Sequence, residues 1–178
     1  MTAATNEDIM NALYSLLVND AGVAAAFPTI SRRFLMWEQV VQLANSANPL
    51  RQPALFVYDG VGLGGGVDAY ERSQARATPA RVFMRRTLVI YAVLPGGGTP
   101  DGPDTITPGG SVFHPLMETI FEALQPTDPA TGAQTLGGLV SHCYLKGNGL
   151  IMTGEIDPSR GQGMATLPIE ILKYPSWS

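Results

Sequence analysis

The run from Arg81 to Leu94 constrains this chain more than any other stretch. Its even positions, Val82, Met84, Leu88, Ile90, Ala92 and Leu94, are apolar, with Arg86 the one exception. Alternation of that kind belongs to a strand with one face turned to a core. The odd positions mix Arg81, Arg85 and Thr87 with Phe83, Val89 and Tyr91, so the second face is of mixed character. A strand this long needs paired neighbours and a layer of other elements over its apolar face.

Two amphipathic helices can supply that layer. Thr5 followed by Asp8 has the form of a capping box, with Asp in place of the preferred Glu or Gln. Ile9, Leu13, Leu16 and Leu17 then recur on one stripe, up to the breaker Asn19-Asp20-Ala21-Gly22. A short Ala-rich turn follows and stops at Phe27-Pro28. His114-Pro115 predicts the start of the second helix, because proline suits a first helical position. Leu116, Met117, Ile120, Phe121 and Leu124 form its stripe, and Pro126 ends it.

Further strands are expected over 29–34, 53–58, 139–152 and 165–174, with a bulge or tight turn at Lys146-Gly147-Asn148-Gly149. Residues 35–48, 60–79, 95–110 and 154–163 read as loops, three of them long and rich in Gly or Pro. The whole chain, 1–178, reads as one domain. Its expected class is α+β: an antiparallel-rich mixed sheet with two helices packed on one face, joined through hairpin-style connections and long Gly/Pro-rich loops.

Chemistry is sparse. Gly60 to Gly66 invites a phosphate-loop reading but lacks the Lys and Ser/Thr that such a loop needs. His114 and His142 are the only histidines, and neither has metal-ligand spacing. Cys143 is the single cysteine, which excludes an intrachain disulfide and reads as a buried structural thiol. Glu118 and Glu122, four apart, read as a solvated helix face. Asp101, Asp104, Asp128 and Asp157 read as turn residues. The expectation is a protein without catalytic, cofactor or metal residues, and not an enzyme.

Charge and composition narrow the partners. The formal net charge is −4 and no block of Lys and Arg exists, which argues against a tight nucleic-acid binder. The N-terminus lacks the basic-then-apolar order of a signal peptide, and no window is apolar for long enough to span a bilayer. A soluble, cytosolically made protein is expected, with no membrane partner. Charged residues make up only 15% of the chain, below the usual quarter, a sign that part of the surface is hidden against partners. Arg32, Arg33, Arg81, Arg85, Arg86 and Arg160 carry most of the well-placed positive charge. Arg85 and Arg86 must face opposite sides of their strand, so one of them lies where the helices can cover it. Ordinary surface arginines and intersubunit ion pairs are equally open readings. For the second reading the best donors are Arg81, Arg85 and Arg160, with Asp157 or a Glu as acceptor.

In this order the pieces resemble the tail-terminator family of long-tailed bacteriophages, of the lambda-like minor tail protein U type. An N-terminal helix leads to Ile30-Ser31-Arg32-Arg33 and Trp37. Gln52-Pro53-Ala54-Leu55-Phe56, the strand ending Leu88-Val89-Ile90-Tyr91, and a helix near His114-Pro115-Leu116 follow. The most telling stretches are Gln134-Thr135-Leu136-Gly137-Gly138-Leu139-Val140, Gly161-Gln162-Gly163-Met164-Ala165 and Leu167-Pro168-Ile169-Glu170-Ile171-Leu172. The resemblance implies an α+β subunit of a hexameric ring that caps the tail tube, stops its polymerisation and offers a surface for joining the head. Its implied partners are further copies of itself, the tail tube protein and a head–tail connector or neck protein, with DNA only passing through the lumen. Its implied place is the virion tail or neck, assembled in the host cytoplasm. Arg32, Arg33, Arg81, Arg85, Asp157, Arg160 and Gln162 are the candidate interface residues. Another neck component, such as a head-completion or head–tail joining protein, is the alternative. A small nucleotide-binding enzyme is a more distant one.

Overall fold

A computed structural model describes residues 5–32, 51–58, 82–93, 110–125, 134–145, 151–157 and 162–173. The chain is α+β: the described residues form three helices and a mixed, mostly antiparallel sheet.

Helix α1 spans Asn6–Asn19 and starts on the expected capping box. The Asp8 N–H donates to Thr5 Oγ1 (3.1 Å), and the Thr5 N–H donates back to Asp8 Oδ2 (2.8 Å). Asp20 closes α1, its N–H donating to the Leu16 carbonyl. Its side chain then accepts from the Val23 N–H (2.9 Å) and opens α2, Ala21–Ala26. One aspartate thus turns the chain between two helices, where the sequence suggested only a turn. Gly22 lies beside the next helix: a Cβ there would meet Thr119 Cγ2 at an ordinary 3.5 Å and the capping Asp20 Oδ1 more tightly, at 3.2 Å.

Strand β1 (Thr29–Ser31) lies parallel to β2 (Ala54–Tyr58), with Ile30 opposite Leu55. This pairing is not a hairpin, so the sheet is mixed at that edge. Strand β3 (Val82–Val93) pairs antiparallel with β2 on one side and with β6 (Gln162–Lys173) on the other. The far edge of β6 carries β4 (His142–Leu145) along its C-terminal half and β5 (Ile151–Asp157) along its N-terminal half. Six strands therefore occupy five positions, in the order β1-β2-β3-β6 and then β4 with β5.

Three expectations need correction. The strand expected over 139–152 starts late, because residues 136–140 form a turn. It is described as two segments, β4 and β5, that run in the same direction along one edge of β6 on either side of the expected bulge or turn at 146–149. The expected loop 154–163 is mostly strand, since β5 runs to Asp157 and β6 begins at Gln162; both are held by ladder pairing with Asp157 opposite Gln162. Asp157 is accordingly a strand residue, not a turn residue. Helix α3 spans Gly110–Ala123, so it begins before His114-Pro115 and holds Pro115 inside. Proline forfeits one helical hydrogen bond there. The burial of Phe113 (1% exposed) favours the extra turn, because a buried aromatic is worth about 1.5–3 kcal/mol. The expected loops 35–48 and 60–79 lie outside the described residues, as do 146–149 and all of 95–110 except Gly110, which opens α3.

The three helices cover one face of the sheet. Ile9, Met10, Leu13, Leu17, Val23 and Phe27 from α1, α2 and the residue after it meet Phe113, Ile120 and Leu124 from the α3 segment. Beneath them lie Leu55 and Val57, Leu88 and Ile90, Cys143, and the alternate residues Ala165, Leu167, Ile169 and Ile171 of β6. This is the even face of the long strand, and Arg86 sits on it, only 4% exposed. The arginine that had to fall under the helices is thus Arg86, and it has partners there, as a buried charge requires.

Candidate functional site

The opposite face of the sheet has two ends of different character. At one end Ala54, Phe56, Val89 and Tyr91 are buried outside the helix-covered cluster. Phe56 and Tyr91 meet edge to face, with ring centroids 5.3 Å apart. Burial pushes the Tyr91 phenol up to about 12.

At the other end a polar row crosses three strands. Tyr144 of β4 stands opposite Glu170 of β6, and Glu170 stands opposite Arg85 of β3. The Tyr144 hydroxyl donates to Glu170 Oε2 at 2.6 Å, and Glu170 is only 8% exposed. His142 stacks on Tyr144, with ring centroids 4.8 Å apart. Its Nδ1 is buried without a hydrogen-bond partner among the described residues. A short bond to a buried carboxylate is among the stronger side-chain interactions. It fixes Tyr144 and, through stacking, the His142 ring.

A second built feature lies where α3 hands over to β4. Gln134 is buried, and its side chain bridges two elements: Nε2 donates to the Gln125 carbonyl (3.1 Å) and Oε1 accepts from the Leu136 N–H (3.2 Å). Its carbonyl accepts from the Cys143 N–H (2.8 Å). Leu136, Gly137 and Gly138 all adopt positive φ, at 49°, 73° and 89°. Glycine suits the last two, whereas Leu136 is held there by burial in the core. The stretch Gln134 to Val140 is therefore a lock between helix and sheet.

The arginine-based candidates separate. Arg32 is engaged within its own chain: its guanidinium donates to Glu7 Oε1 (2.6 Å) and Oε2 (3.3 Å) and to Asn11 Oδ1 (2.6 Å). That clasp ties the end of β1 to α1, and the Arg32 hydrogen bonds and charge hold the Glu7 carboxyl below its usual range. Arg33, Arg81 and Arg160 lie outside the described residues. Arg85 is placed by register in the polar row, and Asp157 and Gln162 are brought opposite each other where β5 meets β6. The candidates thus do not converge on one patch among the described residues. Tyr144, Glu170 and Gln134 were not singled out from the sequence. The signal for Glu170 was its charge within the apolar run from Leu167 to Leu172.

No group of three or more His, Cys, Asp or Glu that could hold a metal occurs among the described residues. Cys143 is fully buried, and burial pushes its thiol up to about 12, far from a reactive thiolate. No described helix is long and apolar enough to cross a membrane. The loop Gly60 to Gly66 lies outside the described residues. No protein-family model matches the chain, and no curated protein matches it either.

Proposed function

We propose that this chain is a structural protein of a long-tailed phage, a terminator that assembles as a ring and works through contacts between copies and with the tail tube rather than by catalysis. The observation that carries the reading is the order of sequence features shared with the tail-terminator family. The stretches most telling for that likeness are scaffold where they are described: Gln134 to Val140 locks α3 to β4, and Gln162 to Ala165 and Leu167 to Leu172 belong to the strand that joins β3 to β4 and β5. Residues with those duties are constrained by the fold, which suits a likeness in structure without shared active-site chemistry. In this reading the ring closes on the tube, ends its growth and offers its free side to the head's neck. A ring with rotational closure uses a heterologous contact, in which one patch meets a different patch of the next copy.

The test is tail length in particles made without the chain. Removing its gene from the phage that encodes it should give tails of uncontrolled length and few infectious particles. Tails of normal length in that background would refute the terminator role.

A further inference from the structure

We infer that the outer stripe of α3 is a self-association surface, occupied by a second copy of this chain that presents Arg51. Helix α3 buries Phe113 and Ile120 in the core and turns Glu118, Phe121 and Glu122 outward. Phe121 is 55% exposed, the most exposed large apolar side chain among the described residues. An aromatic ring flanked by charges is the arrangement of an interface anchor with a polar rim.

The charges say what the anchor meets. Glu118 and Glu122 are four residues apart on the same helix face, where like charges repel and disfavour the helix. Neither carboxylate has an ion pair among the described residues, and no cation from the chain's own described surface relieves them. The chain holds a matching cation elsewhere. Of the arginines whose surroundings are described, Arg32 is clasped by Glu7 and Arg86 is buried. Arg51, just before β2, is exposed and has no ion pair among the described residues. A copy that brings Arg51 to the α3 stripe neutralises the carboxylates and covers Phe121. The two patches belong to different elements of the subunit, so the contact is heterologous, as ring closure requires.

This inference rests on the ring reading, yet the two fail separately. The experiment is sedimentation of the purified full chain over a wide concentration range at low and high salt, beside thermal melting of each variant. Wild type should self-associate, more weakly at high salt. Glu118→Arg with Glu122→Arg, or Arg51→Glu alone, should weaken association by about tenfold or more, and joining all three changes should restore most of it. Phe121→Ser should weaken association with melting unchanged. Wild-type association in every variant, or no rescue on combining the reversals, overturns the α3 surface and leaves the ring reading standing. A wild-type chain that stays monomeric throughout overturns the self-association surface, while the ring reading is then decided by tail length alone.

Discussion

The two faces of the sheet follow different rules. Under the helices, residues from β2, β3, β4 and β6 join an apolar cluster with Ile30 of β1 packed against it, and Arg86 is the only charge that intrudes among the described residues. The opposite face begins with Phe56 and Tyr91 but ends with His142, Tyr144 and Glu170. The first face is built by burial, which is non-directional and tolerant of detail. The second places a carboxylate where it must keep its hydrogen bond, so it is specific and vulnerable. The difference teaches where to look for stability and where to look for geometry.

Breaking the helix-covered face should have the largest effect. Ile120→Ala or Leu13→Ala should each cost about 2–5 kcal/mol in denaturant unfolding, because both are fully buried. Leu16, only partly buried, should cost less. An unchanged midpoint for Ile120→Ala would mean that α3 does not pack on the sheet.

The polar row should respond next. Glu170→Ala leaves the Tyr144 hydroxyl without its acceptor and should cost about 1–3 kcal/mol. Tyr144→Phe takes that donor from the buried Glu170 carboxylate and should cost at least as much, because an under-bonded charge is more expensive than an under-bonded hydroxyl. Equal stability of wild type, Glu170→Ala and Tyr144→Phe would reduce the row to surface decoration.

The alkaline limb separates the two faces by chemistry. Cys143 lies on the helix side and Tyr91 on the other, and burial raises both to about 12 from 9.0 and 10.0. The folded state keeps these protons while the unfolded chain releases them. Stability should therefore be full below about pH 9 and fall as pH rises toward 12. Tyr91→Phe should flatten its part of that fall in unfolding curves measured across the range. An identical alkaline slope in the variant would contradict the buried placement of Tyr91.

The smallest effect is at the α1–β1 clasp. The Arg32 contact lowers the Glu7 carboxyl, so the pair stabilises the fold above the ordinary carboxylate range and is lost as pH falls through the lowered value. Glu7 is exposed, and Glu7→Gln should bring only a slight loss at neutral pH that vanishes in acid. A large loss would show that the clasp does more than hold β1 to α1.

Much of the first face was legible because periodicity reports burial directly. Thr5 with Asp8 announced the start of α1, and the even positions from Val82 onward announced which side of β3 the helices cover. The parallel pairing of β1 with β2 was not legible: three residues, Thr29 to Ser31, carry no mark of strand direction. The early start of α3 was hidden by Pro115, whose usual place at a first helical position argued for a later one. The interruption between β4 and β5 was marked by Lys146-Gly147-Asn148-Gly149, whereas the turn at 136–140 was hidden by the apolar Leu139 and Val140. On the second face, Glu170 stood in view within its apolar run, but its partner depends on register, which residues in one strand do not specify alone. Arg32 was legible as a charge and not as an internal clasp, since Glu7 is remote in sequence.

The central claim is that this chain ends the growth of a tail tube. The most direct measurement is the length of tubes polymerised from the cognate tube protein in the presence of the purified chain, imaged by electron microscopy. The account predicts tubes that stop growing, with ring density of this chain at one end. Tubes that keep growing to the lengths reached without the chain, and ends that carry no added density, would contradict it.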